Sequence, residues 1–189
     1  MYDMPAFEAS ETELLQAYFI KNHAFRSGQF EMITGGIIDD NFGAYGEWFA
    51  SSPWRTYPLF GSDSTVKAAD WFESLAGPDT YMWSYGCGGG SFRSAGGVGT
   101  TDDFASKPVY AVHTHLFGSY FGDWNVRDNF LRAPLASNPR ALTCAWVARP
   151  AWYMHHMALG ETIGYSTRLS QNNASIVNRQ LGTYVPNVY

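Results

Sequence analysis

Cys87 lies in a glycine-rich segment that directly follows a run of aromatic and apolar residues typical of a strand. The next such run, residues 109–115, ends in His113 and His115. Strand side chains alternate between faces, so the two histidines share one face and His115 lies nearest the carboxyl end. A neighbouring imidazole stabilises a thiolate and makes it nucleophilic. If the two strands are adjacent, the sequence predicts Cys87 as nucleophile and His115 or His113 as its base.

The glycines around Cys87 allow two interpretations. Glycine supplies the positive φ angles of a tight turn without steric cost, which explains Gly89 and Gly90 structurally. A cysteine between glycines also lets a substrate backbone approach the thiol, and the N–H groups of Gly88 and Gly89 are then candidate oxyanion donors. Taken alone, Cys87 is more often a small buried hydrophobe than a nucleophile. Either histidine alone is more often a satisfied buried polar group.

Other chemistries fit the same residues less well. In the pattern that begins at Gly86, Ser91 replaces the third glycine of a dinucleotide-binding turn, and no GxxxxGK[ST] motif occurs. Zinc ligation by the cysteine and histidines, with His155 and His156, would need a ligand spacing that the sequence lacks. A GxSxG nucleophile elbow is also absent from the sequence. We therefore expect neither a cofactor nor a metal.

Two acids, Asp39 and Asp40, stand at the end of an earlier apolar run. Acids at such a position bind a cationic side chain or orient a histidine, and they serve equally as helix caps and turn residues. The sequence leaves both interpretations open. Arg149, near Trp146 and Trp152, similarly indicates either a stacked carboxylate-binding site or a structural ion pair.

The composition excludes several classes of function. The 189 residues are 46% hydrophobic and 15% charged, which excludes a disordered chain. The net charge of −5 and the absence of a basic run argue against nucleic-acid binding. The sequence lacks an apolar run of about 18 residues, so it predicts no membrane span. Its first residues lack a signal-peptide pattern. Two cysteines are too few for a disulfide framework. Seven tryptophans indicate an aromatic core and an aromatic surface for a partner.

The order of elements predicts the fold class. Helix and strand patterns alternate, and the short strands are continuously apolar, as in a mainly parallel sheet covered on both faces. Ser10 and Glu13 have the capping-box spacing of a first helix. The predicted helices are 10–24, 44–51, 65–76, 102–106, 125–136 and 152–169, and the predicted strands are 32–38, 80–85, 109–115 and 141–147, with 53–58 as a loop. We expect one domain over residues 1–189, a three-layer α/β/α sandwich with its functional groups at the carboxyl ends of the strands.

Three segments resemble, in this order, the caspase-like catalytic domain of gingipain-type cysteine peptidases: SYGCGGGS, VYAVHTHLFGSYFGDW and ALTCAWVARPAWYMHHMALGETIGY. In that family a strand ends in a glycine–histidine–glycine turn and the next core strand ends in the nucleophilic cysteine. The segment IIDDNFG is similar to the acidic end of an earlier strand, and the resemblance covers about residues 10–170. It implies a caspase-like fold, hydrolysis of a peptide or protein substrate, and a secreted or cell-surface protein. The substrate contacts that it implies are Asp39, Asp40, Trp124, Arg149 and Trp152.

The sequence departs from that family at the reacting residues. Cys87 stands at the family's histidine position, and Thr114 or His115 stands at its cysteine position. Either the pair has exchanged places, leaving a thiol–imidazole dyad in reversed order, or the site is degenerate. The first alternative predicts a cysteine peptidase. The second predicts a non-catalytic domain that binds a protein or glycan through its aromatic surface, and both are compatible with a fragment of a longer secreted chain.

Overall fold

A parallel sheet forms the centre of the molecule. The computed structural model describes residues 2–42, 49–146 and 154–172. Its strands are β1 (Ile33–Asp40), β2 (Val66–Ala68), β3 (Tyr81–Cys87), β4 (Gly90–Ser91), β5 (Ser94–Ala95), β6 (Gly99–Thr100), β7 (Ala111–Phe117) and β8 (Thr143–Trp146). Five of them form one sheet in the order β2-β1-β3-β7-β8 with every neighbouring pair parallel, while β4, β5 and β6 form a small antiparallel sheet. The predicted α/β fold with a mainly parallel sheet is confirmed.

Helices lie around this sheet, and most of them are short. They are α1 (Glu11–Arg26), α2 (Ser51–Thr56), α3 (Trp71–Ser74), α4 (Thr101–Ser106), α5 (Ala133–Ala136), α6 (His155–Ala158) and α7 (Ile163–Asn172), with 3₁₀ turns at Tyr57–Phe60 and Asp63–Thr65. Ser10 caps α1 in the predicted capping box with Glu13. Thr100 caps α4 in the same way with Asp103. The first helix and the helix after the glycine-rich segment are therefore confirmed at their amino ends.

Two buried clusters lie on opposite faces of the sheet. On one face, Ile37 of β1 belongs to a cluster with Trp71 and Phe104. On the other face, Ile38 belongs to a cluster with Tyr57. Consecutive residues of β1 thus serve different cores, as the alternation of strand side chains requires. A strand buried on both faces has to be apolar throughout, which is why its sequence shows no polar alternation.

Residues 65–76, predicted as a single helix, divide into two elements, so this prediction was wrong. Val66–Ala68 pairs in parallel with β1 as the edge strand β2, and only Trp71–Ser74 is helical. The cap of this helix is Asp70, whose side chain accepts a hydrogen bond from Glu73 N. A strand of three residues is too short to show the two-residue alternation of strand side chains. The residues around it fit a helix, so the whole stretch is predicted as helical.

Three further stretches differ from the prediction. Residues 53–58, predicted as a loop, lie in α2 and the following 3₁₀ turn. Only 133–136 of the predicted helix 125–136 is helical. The predicted helix 152–169 is interrupted at Gly160, whose φ of 97° ends α6. Residues 44–48 of the predicted helix 44–51 lie outside the described residues.

Helix α1 packs against residues 135–142 through polar contacts as well as apolar ones. The Lys21 ammonium group is buried and donates hydrogen bonds to Leu135 O at 2.8 Å and Ser137 O at 2.6 Å. Burial lowers the pKa of Lys21 to about 7. Tyr18 Oη donates to Leu142 O at 3.0 Å. These bonds join the first helix to the segment that leads into β8.

Candidate active site at the carboxyl edge

Cys87 and Asp40 meet where the strand order reverses. The chain passes from β1 outward to β2 and then returns to β3 on the other side of β1, which makes the carboxyl ends of β1 and β3 the usual ligand position of such sheets. The register pairs Asp40 with Cys87. The Cys87 thiol donates a hydrogen bond to Asp40 Oδ1 at 3.1 Å. The candidate nucleophile is therefore held by a carboxylate.

The environment of Cys87 favours the neutral thiol. The side chain is fully buried. Burial, followed by the hydrogen bond to Asp40, raises the pKa of Cys87 to about 12. A carboxylate next to a thiol stabilises the proton on sulfur, whereas an activated cysteine needs a positive charge nearby. In this arrangement Cys87 is a weak nucleophile.

We expect Cys87 in the folded protein to react with iodoacetamide at pH 7 on the order of 10³-fold more slowly than a free thiol, because a pKa of about 12 leaves little thiolate. The measurement is the alkylation rate followed by intact mass in a Cys144→Ala background, with the urea-unfolded chain as control. Cys144, the other free cysteine, has a burial-raised pKa of its own and lies on β8, which β7 separates from β3. A rate in the folded state near that of the unfolded chain would contradict this expectation and favour a catalytic thiol.

The strand predicted to lie beside Cys87 is its neighbour in the sheet. His113 and His115, however, lie further from the carboxyl edge than Cys87 does. Strands β3 and β7 are adjacent, as predicted, and His113 and His115 share one face. The register, however, pairs Cys87 with Phe117 and His115 with Tyr85. His115 is thus displaced from Cys87 by two residues, roughly 6.6 Å along the strand. The register thus does not pair Cys87 directly with an imidazole, and the contact between thiol and imidazole stays a prediction.

Each histidine is held by a hydroxyl group in the core. His115 Nδ1 lies 3.0 Å from Tyr57 Oη, and His113 Nδ1 lies 3.0 Å from Thr143 Oγ1. The Trp83 ring on the neighbouring strand packs against both, with centroid distances of 4.9 Å to His113 and 5.2 Å to His115. Burial lowers the pKa of His113 to about 4, and burial together with the nearby His113 lowers the pKa of His115 to about 3. Both imidazoles are neutral near pH 7 and serve the packing of this face.

The glycines after Cys87 bring backbone segments into contact. A Cβ on Gly88 would lie 1.9 Å from Gly96 O, and a Cβ on Gly90 would lie 2.2 Å from Ser119 O. Gly88 N donates to Phe117 O at 3.1 Å, so this candidate oxyanion donor is already used within the sheet. Gly89 O accepts from Gly96 N at 2.8 Å. The glycine-rich segment is a folded antiparallel unit, and close packing accounts for Gly88 and Gly90.

Asp39 and Asp40 at the end of β1 act as cap and turn residues, which is one of the two interpretations that the sequence left open. Asp39 Oδ2 accepts from Trp71 N at 3.0 Å, at the start of α3. Asp39 Oδ1 accepts from Asn41 Nδ2 at 2.6 Å, and Asp40 Oδ1 accepts from Phe42 N at 3.1 Å. Burial raises the pKa of Asp39. Both carboxylates therefore hold neighbouring loops at the carboxyl edge.

The other residues predicted to contact a substrate are Trp124, Arg149 and Trp152. Trp124 is half-exposed, on the loop that follows β7. Arg149 and Trp152 lie outside the described residues. Among the described residues, no group of three or more histidines, cysteines or acids is placed to hold a metal ion.

Four residues near this edge do not stand out in the sequence. Tyr57 and Thr143 hold the histidines, and no local pattern distinguishes them from other polar residues in a turn or strand. Phe92 and Tyr120 are exposed and lie with ring centroids 5.7 Å apart. The segment LFGSYFGDWN is predicted as a loop from its glycines and serine, but nothing in it distinguishes the exposed Tyr120 from the buried Phe121.

Comparison with known proteins gives no neighbour: no family model, no curated protein and no solved structure matches the chain. The resemblance to gingipain-type domains therefore stays a prediction, as does the caspase-like form of the fold. Within the ranges that the structure describes, no helix has the length and apolarity needed to cross a membrane.

Proposed function

We propose that this domain is a non-catalytic recognition module that binds a neutral polysaccharide through an aromatic surface made of Phe92, Tyr120 and Trp124. The observation that carries the proposal is the conformation of Tyr120. Its φ of 70° lies in the left-handed region, and its side chain is 62% exposed. An aromatic residue in that region costs roughly 1–3 kcal/mol, and such strain is concentrated at functional sites.

The loop that holds Tyr120 is rigidly built. Asn129 Nδ2 donates to Phe121 O at 2.8 Å, and Phe121 packs edge-to-face on Phe130. Trp146 Nε1 donates to Gly118 O at 3.0 Å, which ties the start of the loop to β8. A preorganised loop loses little conformational entropy on binding. The backbone that carries Tyr120 is thus held in a fixed conformation, and its ring lies 5.7 Å from that of Phe92.

The size and charge of the aromatic surface favour a sugar polymer. Aromatic side chains expose roughly 150–250 Å² each when free, so three half-exposed rings offer on the order of 300 Å². A stable protein interface needs about 800 Å² per partner. The faces of sugar rings stack on aromatic rings and their hydroxyl groups bond to nearby polar side chains, of which Ser91 and Ser119 are exposed here. The net charge of −5 disfavours an anionic polymer.

Two binding assays test this proposal. Affinity electrophoresis uses gels that contain xylan, β-glucan, galactomannan or amylose. Pull-down assays use the insoluble polysaccharides cellulose and chitin. We expect retardation in at least one gel and a loss of affinity of roughly tenfold for Tyr120→Ala and for Trp124→Ala, the usual effect of truncating a binding aromatic. Trp54→Ala is the matched control because Trp54 is an exposed tryptophan of α2. Absence of binding to all these polymers, or equal loss in the control, would overturn the proposal.

Peptide-bond hydrolysis is the second candidate, and one observation favours it. Cys87 ends β3 at the point of strand-order reversal, where ligands bind in related sheets. Catalysis there needs a rearrangement that separates Cys87 from Asp40 and brings an imidazole to the sulfur. Hydrolysis of denatured casein that is lost in Cys87→Ala and kept in Cys144→Ala would establish this activity in place of the binding function.

A further inference from the structure

Helix α1 exposes three large apolar side chains away from its docking contacts, two of them in one row and the third, Ile20, about 100° further around the helix. Leu15, Phe19 and Ile20 are 45%, 58% and 70% exposed. Leu15 and Phe19 are one turn apart and therefore neighbours on the helix surface. The inward side is occupied by Leu14 and Lys21, which are buried. This outer face, with the exposed residues named here, is the α1 apolar face.

The ends of α1 carry opposite charges. The first turn contains Glu11 and Glu13, and the last turn contains His23 and Arg26. The helix dipole adds partial positive charge at the amino end and partial negative charge at the carboxyl end. Two such helices side by side in opposite directions place acidic first turns against basic last turns and also oppose their dipoles. A parallel pair would place like charges together.

We propose that the α1 apolar face is the docking surface for a second copy of this chain, with the two α1 helices antiparallel across a two-fold axis. Such a contact is isologous, so each helix supplies both the acidic and the basic end of the interface. Phe19 and Ile20 lie near the middle of the helix and form its apolar centre. This surface is distinct from Phe92, Tyr120 and Trp124, so the inference does not depend on the polysaccharide proposal.

The expected dimer is weak. A helix of 16 residues is about 24 Å long, so a contact through one helix from each copy is smaller than a standard interface. The association therefore depends on protein concentration, with a dissociation constant in the micromolar range or weaker. Sedimentation velocity between about 1 µM and 1 mM spans this range.

Phe19→Glu tests the apolar centre of the interface. We expect it to weaken the dimer by roughly tenfold or more, since it places two carboxylates at the centre of a symmetric contact. Leu159→Glu is the matched control because Leu159 is 82% exposed and follows α6, away from α1. Unchanged circular dichroism and melting temperature show that each variant is folded. A single monomeric species of 21.1 kDa at all concentrations, or equal weakening by both variants, would overturn the inference.

Charge exchange tests the antiparallel arrangement with a second pair of variants. Glu11→Arg alone and Arg26→Glu alone each create two like-charged contacts in a homodimer and should weaken it by roughly threefold or more. An equal mixture of the two variants restores both opposite-charge contacts, so we expect association close to that of the parent. Failure of the mixture to associate better than either variant alone would exclude the antiparallel pair.

Discussion

Replacing Gly88 by alanine is expected to lower the free energy of unfolding by about 3 kcal/mol or more, whereas alanine at Gly89 should change it by less than about 0.5 kcal/mol. The added Cβ at Gly88 would lie 1.9 Å from the carbonyl oxygen of Gly96, which is a backbone atom. No side-chain rotation relieves that overlap, so β4 and β5 have to move relative to β3. At Gly89 nothing lies within 4 Å of the added atom.

Urea unfolding followed by tryptophan fluorescence measures both variants against the parent. The two positions are adjacent in sequence and share the same loop, so general effects of glycine replacement on the unfolded chain are matched. Equal stability of the two variants would show that the close approach of Gly88 to Gly96 does not limit the fold. A selective loss at Gly88 would explain this glycine by packing, without any appeal to an approaching substrate.

Acid is expected to destabilise the domain between pH 6.5 and pH 4.5 through its two buried histidines. In the fold, burial lowers the pKa of His113 to about 4 and that of His115 to about 3, whereas an unfolded histidine titrates near 6.5. In this range the unfolded chain binds more protons than the folded one, so the unfolding free energy falls as the pH falls. The slope approaches roughly 1.4 kcal/mol per pH unit for each histidine, which is on the order of 5 kcal/mol by pH 4.5.

His113→Gln should halve this slope while keeping a polar group near Thr143. The measurement is the unfolding free energy from urea titrations at half-unit steps of pH. His23→Gln serves as control, because His23 is an exposed histidine of α1. A parent slope near zero, or the same slope in His113→Gln as in the parent, would show that the buried imidazoles do not control acid stability.

The fold class could be predicted from sequence because its signals are local. Apolar runs separated by helix caps and glycines indicate buried parallel strands, and Ser10 with Glu13 marks the first helix. The short strand Val66–Ala68 could not be predicted in this way, because its pairing with β1 is a long-range contact and its three residues carry no period. Residues 125–132 were predicted to be helical, yet their backbone is held by side-chain contacts such as those of Asn129.

The candidate site was predicted in part. The order of the elements predicted that the strands carrying Cys87 and His115 are neighbours, and they are adjacent in the sheet. The predicted ends, Tyr85 and His115, are paired in the sheet, but β3 and β7 each extend two residues further, so that Cys87 lies beside Phe117 and not beside His115. The contacts of His115 with Tyr57 and Trp83 could not be predicted, because they join residues that are distant in sequence.

The polar attachment of α1 has a consequence for the order in which the chain acquires structure during synthesis. Lys21 bonds to residues 114 and 116 positions later, and Tyr18 bonds to a residue 124 positions later. Ala6 N donates to Asp128 Oδ1, which is 122 positions away. The first helix is translated early but cannot dock until the ribosome has released Leu142. Until then Leu14 and Tyr18 lack partners that bury or bond them, and they are open to chaperones.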